Sequence, residues 1–388
     1  MIPLVKDTID KKDVDDLIRW LQTYPHLTKG KVTVDFEKRW SSMLGCKYSV
    51  FVNSGSSANL LMLYSLVEAG KIKVGDKVVV PAVSWSTDLA PVVQLGLKPV
   101  LCDCNMDDLS IDIKHFKEII ENENPKVLML VSVLGMVPNM DKITELCDTK
   151  DVILLEDTCE SLGSESNYKK LGNYGLMSSF STYFGHHIST IEGGMVCTNN
   201  DDMYNILMSI RSHGWDRDLN PSNQSELRKK HNVEDFESLY KFYYYGFNVR
   251  STDLQAFIGM GQLKKLDEIV KKRNKNYNLY RSLLKNDFWK PPQSTSRSYV
   301  SNFAFPVIHQ NRKKIVTDLM QNNVAVRPLI CGSLENQPFW RKNMANPAQK
   351  PLLKNADTVD KLGLYLPNNH QITEKEIEFI CDIVNRSV

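Results

Sequence analysis

The chain has 388 residues, of which 42% are apolar and 24% charged, and its formal net charge is +2 at pH 7. This length predicts two domains, or one large domain with a smaller companion, and the near-neutral charge, without a dense stripe of Lys and Arg, argues against nucleic-acid binding. No apolar run reaches the ~18–20 residues of a membrane-spanning helix, and the first residues lack the basic head and apolar core of a signal peptide. The 8 cysteines lie scattered in apolar contexts, which favours reduced thiols in a cytoplasmic protein.

The first half of the chain predicts an alternation of strands and helices. An amphipathic helix over residues 8–24 and a second helix through Phe36, Trp40 and Leu44 come first, separated by a turn at residues 27–30. Short apolar runs then follow, spaced by helices. The predicted strands cover residues 49–53, 77–81, 99–102, 127–133, 152–155, 180–184 and 194–198, and the helices between them include residues 60–67, 86–95, 115–122 and 142–147. Strands of this kind predict an α/β fold with a mostly parallel sheet covered on both faces.

The second half is less regular at its start. Residues 215–245 are polar and aromatic without a clean period, which predicts a loop or an irregular insertion. A long helical pattern runs from Thr252 to Val270 and connects the first half of the chain to a second region. That region has strand candidates at residues 302–307 and 324–329 and a closing helix over residues 373–384. We therefore expect a large domain over residues 26–255 and a small domain formed by residues 1–25 and 256–388.

Three predicted strand ends carry residues suited to a cofactor. Ser54-Gly55-Ser56-Ser57 is a turn before a helix, where free amides bind phosphate, although an ordinary helix cap has the same residues. Asp157 follows a buried strand, where parallel sheets bind ligands, and it either pairs with a protonated ring nitrogen or caps a helix. Trp85, beyond another strand, either stacks on a flat cofactor or packs in the core. Together the three predict one pocket that fits pyridoxal phosphate.

Several short motifs resemble those of the DegT/StrS-like sugar aminotransferases in order and spacing. They are Leu27-Thr28-Lys29-Gly30, Ser54-Gly55-Ser56-Ser57-Ala58, Gly75-Asp76-Lys77-Val78, Glu156-Asp157, Glu192-Gly193-Gly194-Met195-Val196, His213-Gly214 and Gly246-Phe247-Asn248-Val249-Arg250. The resemblance covers nearly the whole chain. It implies the fold-type I aminotransferase architecture, in which a large domain with a mostly parallel mixed sheet is joined to a smaller α/β domain. Members of this family are vitamin B6-dependent enzymes that act on nucleotide-linked keto sugars.

One departure from the family pattern concerns the lysine that binds the cofactor covalently. In the aminotransferases this lysine stands six residues before the Glu of Glu-Gly-Gly, and His186 stands six residues before Glu192. Lys169 and Lys170 lie upstream in a loop-like stretch and do not match that position. The resemblance therefore implies that pyridoxal 5′-phosphate or pyridoxamine 5′-phosphate is held non-covalently. The adjacent His187 is expected to be structural, although a shift of one residue in this register would transfer the role of His186 to it.

A histidine in place of the lysine resembles the sugar 3-dehydratases of this family. One branch of these enzymes carries an iron–sulfur cluster, but this sequence has no matching set of cysteines, so no cluster and no metal are expected. The resemblance implies a pyridoxal-phosphate-dependent lyase that removes the C3 hydroxyl of a nucleotide-linked 4-keto-6-deoxy sugar in dideoxysugar biosynthesis. The expected substrate is GDP-4-keto-6-deoxy-D-mannose, with glutamate as amino donor and ammonia as a product. A nucleotide-sugar aminotransferase and a non-catalytic binding homologue are the alternatives.

The resemblance also implies roles for individual residues. His186 is the expected catalytic residue, because a histidine accepts and returns protons near neutral pH. The expected cofactor-binding residues are Gly55, Ser56, Ser57, Trp85, Asp157, Glu160, Ser181 and Asn248, and the expected substrate-binding residues are Lys29, His213 and Arg250. Asn248 is expected to reach the phosphate from a neighbouring subunit, so that a homodimer shares the site. Glu160 replaces the family's usual Gln or His beside the cofactor hydroxyl.

Overall fold

The computed structural model describes residues 1–285, 288–343 and 353–388. Its α-helices are α1 (Lys11–Leu21), α2 (Lys31–Leu44), α3 (Gly55–Glu68), α4 (Ser86–Gln94), α5 (Ile113–Glu123), α6 (Met140–Thr149), α7 (Asp201–Ile210), α8 (Pro221–Lys230), α9 (Asp235–Ser238), α10 (Asp253–Gln262), α11 (Leu266–Leu283), α12 (Arg312–Gln321), α13 (Pro338–Asn343), α14 (Lys354–Leu362) and α15 (Glu374–Arg386). Its strands are β1 (Tyr48–Val52), β2 (Lys77–Pro81), β3 (Lys98–Cys102), β4 (Val127–Val131), β5 (Ile153–Asp157), β6 (Glu165–Ser166), β7 (Lys169–Lys170), β8 (Met177–Ser181), β9 (Gly194–Thr198), β10 (Ser298–Tyr299), β11 (Phe305–Ile308), β12 (Arg327–Pro328) and β13 (Gly363–Leu366).

A seven-stranded sheet in the order β1-β9-β8-β5-β4-β2-β3 forms the centre of the molecule. β9 runs antiparallel to both of its neighbours, and the other four pairings are parallel. All five residues of β4 and of β9 are buried, which is why these runs do not alternate with polar residues. The prediction of a mostly parallel sheet in an α/β fold is confirmed.

The topology places several loops at one edge of this sheet. Because β1, β8, β5 and β2 all run in the same direction, their carboxyl ends share that edge. The residues that follow these ends include Ser54, Trp85 and Thr158, which are far apart in sequence. Loops at the carboxyl ends of parallel strands are where open α/β sheets bind ligands. The fold therefore brings the three predicted cofactor segments to one edge.

The carboxyl-terminal part contains a smaller antiparallel sheet, in the order β11-β13-β12. Helices α11, α12 and α15 pack together around a separate apolar cluster that includes Tyr280, Phe305 and Ile380. The amino terminus joins this part, because Ile2 forms a parallel bridge with Val324. The predicted division into a large domain over residues 26–255 and a small domain over residues 1–25 and 256–388 remains a prediction.

Several predicted elements are wrong in their bounds; the strands expected at residues 302–307 and 324–329, for example, cover Phe305–Ile308 and Arg327–Pro328. The strand expected at residues 180–184 covers Met177–Ser181 instead, because the apolar run continues past the last residue that pairs with β9. The long helix expected from Thr252 is two helices, since the chain turns between Gln262 and Leu266 before α11 begins. Periodicity alone does not reveal such a break, because the apolar spacing continues across it.

The prediction of a loop or an irregular insertion over residues 215–245 is wrong only for the two parts of this stretch that are helical. This stretch contains α8 and α9. α8 begins with Asn220 as its cap and Pro221 at its first position, which is a favourable helix start. No residue of α8 is buried, so the helix has no apolar face that periodicity could detect. Lys169 and Lys170, expected in a loop, form the two-residue strand β7.

Within the described residues, no helix combines the length and the apolar character needed to cross a bilayer. The eight cysteines are all free thiols. The same residues contain no cluster of three or more His, Cys, Asp or Glu side chains that could hold a metal ion.

Candidate active site

A cavity of about 780 Å³ opens at the carboxyl edge of the large sheet. We call it the central cavity. It is lined by loops that follow β1, β2, β5 and β8, by α11, by the small sheet and by the amino-terminal segment. The residues at its wall include Gly55, Trp85, Asp157, Glu160, Ser181 and His186. With Ser56, seven of the predicted site residues therefore lie around one space.

The turn at residues 54–57, before α3, caps the helix and forms part of the cavity wall. We call this turn the cradle. Ser54 is the cap residue, and its Oγ accepts a hydrogen bond from the amide of Ser57 at 3.1 Å. Gly55 and Ser56 line the cavity. They are the first two residues of α3, where backbone amides have no hydrogen-bond partner within the helix. A Cβ on Gly55 would lie 2.8 Å from the Cβ of Ser181. The cradle is therefore closed on one side by Ser181, and Ser57 serves the cap rather than the cavity wall.

The Glu-Gly-Gly turn packs directly under this cradle. A Cβ on Gly194 would lie 2.3 Å from the carbonyl carbon of Ser54 and 2.6 Å from the amide nitrogen of Gly55. A Cβ on Gly193 would lie 2.3 Å from Thr190 Oγ1 and 2.4 Å from Thr182 Oγ1. Both glycines are thus needed for close backbone approach. Their role is to fix the shape of the cradle.

Asp157 is held at the end of β5 by two donors. The side chain of Asn59 donates to Oδ2 at 2.6 Å, and the amide of Cys159 donates to Oδ1 at 2.9 Å. Asn59 is fixed in turn by Ser179, whose Oγ donates to its Oδ1 at 2.5 Å. The neighbouring Glu156 points away from the cavity and accepts from three backbone amides of residues 172–175. Asp157 is therefore the carboxylate available to a ligand.

Trp85 and Glu160 form further parts of the wall. Trp85 lines the cavity and is 57% exposed, so it remains accessible to a ligand. Glu160 Oε2 accepts from the amide of Leu134 at 2.7 Å. Burial, and to a smaller extent the charge of Asp157, raise the pKa of Glu160 to about 8, against the opposing effect of the Leu134 amide. Glu160 therefore holds its proton through most of the neutral range and can donate a hydrogen bond.

The two adjacent histidines lie in different environments. His186 lines the cavity, and its Nδ1 is buried without a hydrogen-bond partner. Removal from water lowers the pKa of His186 to about 4; the charge of Asp157 opposes this shift and that of Arg273 adds to it. His187 is buried away from the cavity, with Nε2 3.1 Å from the carbonyl oxygen of Ser301. A neutral imidazole with a free nitrogen is thus present at the position that the Glu-Gly-Gly register indicated.

Besides Ser57, four predicted site residues lie outside the central cavity. Lys29 forms an ion pair with Asp218, its Nζ 2.7 Å from Oδ1. Asn248 accepts from Nε of Arg250 at 3.1 Å. His213 has a positive φ of 62°. A single chain does not bring these four side chains to the cavity wall.

Several cavity residues had no role in the sequence-based prediction. They are Asn59, Asp88, Arg273, Arg327 and Tyr365. Arg273 is buried, and its Nη1 donates to the carbonyl oxygens of Phe303 at 2.7 Å and of Asn368 at 2.6 Å. It stands in the middle of a long amphipathic helix, where an arginine usually faces solvent. No local pattern marks it, because its partners are distant in sequence.

The residues around the cavity fit a phosphorylated pyridine cofactor that is not covalently bound. The cradle at Gly55 is too tight for a side chain and presents helix amides, which suits a phosphate. Asp157 can hold a protonated ring nitrogen, and the Trp85 ring offers a stacking face. Among the described residues of the cavity wall there is no lysine. The donor set therefore matches pyridoxal phosphate or pyridoxamine phosphate without a covalent anchor.

Residues 7–385 match the model of the DegT/DnrJ/EryC1/StrS aminotransferase family, and the chain belongs to this family. It is 36% identical to a GDP-4-keto-6-deoxy-D-mannose 3-dehydratase of Yersinia pseudotuberculosis, over 96% of this chain and 95% of the relative. Among solved structures it is similar to the Escherichia coli GDP-4-keto-6-deoxy-D-mannose-3-dehydratase with bound hydrated pyridoxal phosphate, with a TM-score of 0.89, 33% identity and 99% of both chains covered. A structure of GDP-4-keto-6-deoxymannose-3-dehydratase with a trapped pyridoxal phosphate–glutamate geminal diamine gives a TM-score of 0.88 at 32% identity, covering 99% of this chain and 100% of that one.

Proposed function

We propose that this protein is a 3-dehydratase that removes the C3 hydroxyl of GDP-4-keto-6-deoxy-D-mannose. The observation that carries the proposal is the position of His186. Its imidazole lines the same cavity as Asp157 and the cradle at Gly55, and no lysine is found among the described residues of that wall. The names of the Yersinia and Escherichia coli relatives support the same reaction and the same substrate. Such a reaction belongs to dideoxysugar biosynthesis.

The cofactor is pyridoxal phosphate or pyridoxamine phosphate. In this proposal its phosphate is bound by Gly55, Ser56 and Ser181 at the amino terminus of α3, where amides and the helix dipole favour an anion. Asp157 holds the ring nitrogen in its protonated form, and Trp85 covers one face of the ring. When bound, the amine form of the cofactor supplies an amino group that condenses with the sugar ketone and a ring that withdraws electrons, so that the C3 hydroxyl can leave.

His186 moves the protons of the reaction. Because its pKa is held low, at about 4, the imidazole is neutral at pH 7 and can accept a proton from the C4′ carbon of the cofactor. The same imidazole then returns a proton to the C3 hydroxyl as it leaves. A lysine in this position would bind the cofactor again and lead to an amino sugar. The histidine therefore directs the outcome from amination to deoxygenation.

Glu160 acts beside the ring hydroxyl of the cofactor. With a pKa of about 8, its carboxyl group keeps a proton at pH 7 and donates a hydrogen bond to that oxygen. Glutamate is the amino donor that converts the aldehyde form of the cofactor to the amine form. The relative solved with a pyridoxal phosphate–glutamate adduct supports this choice.

A homodimer completes the site in this proposal. Asn248, His213 and Arg250 lie outside the cavity of their own chain, and an aromatic surface next to them is open to solvent. Its most exposed members are Phe236 at 85%, Tyr240 at 76% and Tyr245 at 87%. A second copy that covers this surface brings Asn248 to the phosphate and Arg250, with Lys29 and His213, toward the substrate. The free thiols of the chain fit a cytoplasmic location for this dimer.

A product assay tests the proposal. Purified protein is incubated with pyridoxal phosphate, glutamate and GDP-4-keto-6-deoxy-D-mannose, and ammonia, 2-oxoglutarate and the sugar product are measured. We expect a 3-deoxy sugar with one ammonia per turnover, and no reaction when glutamate is omitted. A stable amino sugar would identify an aminotransferase instead. No turnover with this sugar or with its CDP, dTDP and UDP counterparts would identify a binding protein.

A further inference from the structure

Two buried carboxyl groups, Asp88 and Asp157, lie side by side in the wall of the central cavity. Asp88 has no solvent exposure. The Nδ2 amide of Asn59 donates to Oδ1 of Asp88 at 3.1 Å and to Oδ2 of Asp157 at 2.6 Å. On its other side, Asp88 Oδ2 accepts from the backbone amide of Trp85 at 2.9 Å. Asp88 is therefore connected to both of the residues that the proposed function places around the cofactor ring.

The pair has no counter-ion in the part of the chain that the structure describes, where none of the ion pairs includes Asp88 or Asp157. Two buried negative charges without a cation are costly, so such pairs share a proton. Burial and the charge of Asp157 raise the pKa of Asp88 well above its ordinary range, against the effect of the Trp85 amide. The close approach of the two carboxyl groups therefore favours the protonated form of Asp88.

Other titratable groups also face Asp88. The Glu160 carboxyl raises the pKa of Asp88 further. The thiols of Cys159 and Cys331 lie nearby, and burial, with added effects of the acidic neighbours, raises the pKa of both. Both thiols are thus uncharged at neutral pH. The neighbouring charge with the larger effect on the pKa of Asp88 is that of Asp157, whereas Glu160, with a pKa of about 8, becomes charged only at higher pH.

We propose that Asp88 is a positioning residue of the cofactor site. It holds Asp157 and Trp85 in a fixed arrangement, and it shares a proton with Asp157 so that the two carboxyl groups together present one negative charge to the ring nitrogen. The proposal rests on the proposed function only in taking Asp157 and Trp85 as contacts of the ring. Asp88 is also the third residue of α4, where an acidic side chain commonly caps the helix. Capping of α4 uses only Oδ2 of Asp88, which accepts from the Trp85 amide. Oδ1 of Asp88 accepts from Asn59, the same side chain that donates to Asp157.

Binding of pyridoxal phosphate to the cofactor-free protein tests the proposal without any sugar substrate. We measure the dissociation constant by the absorbance of the bound cofactor for the wild type, Asp88→Asn and Asp88→Ala. Asparagine is a neutral residue of the same shape, so we expect its affinity within about threefold of the wild type. Alanine releases both Trp85 and Asn59, and we expect affinity at least about tenfold lower. Wild-type affinity in Asp88→Ala would overturn the proposal.

A double-mutant cycle separates positioning from capping. If Asp88 acts on Asp157, the loss of affinity caused by Asp88→Ala becomes smaller when Asp157→Asn is already present. An equal loss in both backgrounds means that Asp88 only caps α4, and the proposal is then wrong. Because the measured quantity is cofactor binding, a failure here is distinguishable from a failure of the dehydratase assay.

The shared proton is tested by melting temperature. The folded wild type keeps a proton on Asp88 that the unfolded chain releases, so it loses stability relative to Asp88→Asn as pH rises toward the raised pKa of Asp88. We expect the melting-temperature difference between the two to change steadily as pH rises above 3.8, the ordinary pKa of an aspartate. A difference that is independent of pH contradicts the shared proton. This comparison and the Asn affinity remain decisive if Asp88→Ala does not fold.

Discussion

Arg273 donates a hydrogen bond through Nη2 to the backbone carbonyl oxygen of His186, at 3.3 Å. This contact joins α11 to the turn that carries the proposed proton carrier. Arg273 is almost fully buried, and none of the ion pairs in the described ranges gives it a carboxylate partner. A cation in this position both fixes the His186 backbone and disfavours a second positive charge on the imidazole.

Replacing Arg273 should change the pH dependence of activity. The Arg273 charge contributes to the low pKa of His186, so Arg273→Met should raise that pKa. Because the neutral imidazole is the active form, the acidic limb of the kcat/KM profile should move to higher pH, by roughly 0.5–1 pH unit. Arg273→Lys keeps the cation and serves as the control. Equal shifts in the two variants would show that packing, not charge, controls His186.

Replacing His186 should separate cofactor binding from catalysis. We expect His186→Asn to bind pyridoxal phosphate with an affinity close to that of the wild type, while the dehydration rate falls by a factor of about 10²–10⁴. His187→Asn is the matched control, since His187 contacts Ser301 and not the cavity. We expect it to lower the free energy of unfolding by about 1 kcal/mol and to keep activity. Normal turnover by His186→Asn would remove His186 from the mechanism.

Restoring a lysine at the same position should anchor the cofactor. In His186→Lys we expect a covalent, coloured adduct that survives dialysis and is fixed by borohydride, because the new amine lies in the cavity that holds the aldehyde. Mass spectrometry of the reduced protein locates the label. If no adduct forms at saturating pyridoxal phosphate, residue 186 does not face the cofactor aldehyde.

Glu160→Gln should make stability less dependent on pH. The folded protein holds the Glu160 proton up to a pKa of about 8, whereas the ordinary value is 4.5. The wild type therefore loses stability between these two pH values, as the unfolded chain releases the proton first. The glutamine variant avoids this loss and should be more stable near pH 8, on the order of 1–2 kcal/mol, with little gain near pH 5. Denaturant titrations at both pH values measure the difference, and an equal gain at both would refute the raised pKa.

Gly194→Ala should disturb the phosphate cradle. The added Cβ would lie 2.3 Å from the carbonyl group of Ser54, so the turn before α3 must shift. We expect about tenfold weaker binding of pyridoxal phosphate and a loss of about 1–3 kcal/mol in the free energy of unfolding. Gly185→Ala is the control, because its nearest neighbours are Tyr183 ring atoms at 3.4 Å. Unchanged affinity in Gly194→Ala would mean that the cradle does not bind the phosphate.

Much of the site was accessible from local sequence. Gly55 lies just beyond β1 and Asp157 is the last residue of β5, and a parallel sheet places such positions at one edge. The spacing from Glu192 indicated His186, and the structure puts the His186 ring at the cavity and His187 behind it. The errors in the predicted secondary structure lie where the apolar pattern carries little information. One is α8, which has no buried residue, and another is the break before α11.

The sequence by itself determined the α/β alternation of the first half of the chain and the family, and it predicted a histidine in place of the lysine, because each of these depends on residues close together in the chain. Only the tertiary structure decided which side chains line the cavity together with His186. Asn59, Asp88 and Arg273 come from three different helices, and their pairing with Asp157, Trp85 and the His186 backbone depends on long-range packing. The same packing removes water from His186 and Glu160 and so moves their pKa values, an effect that no local pattern of residues encodes.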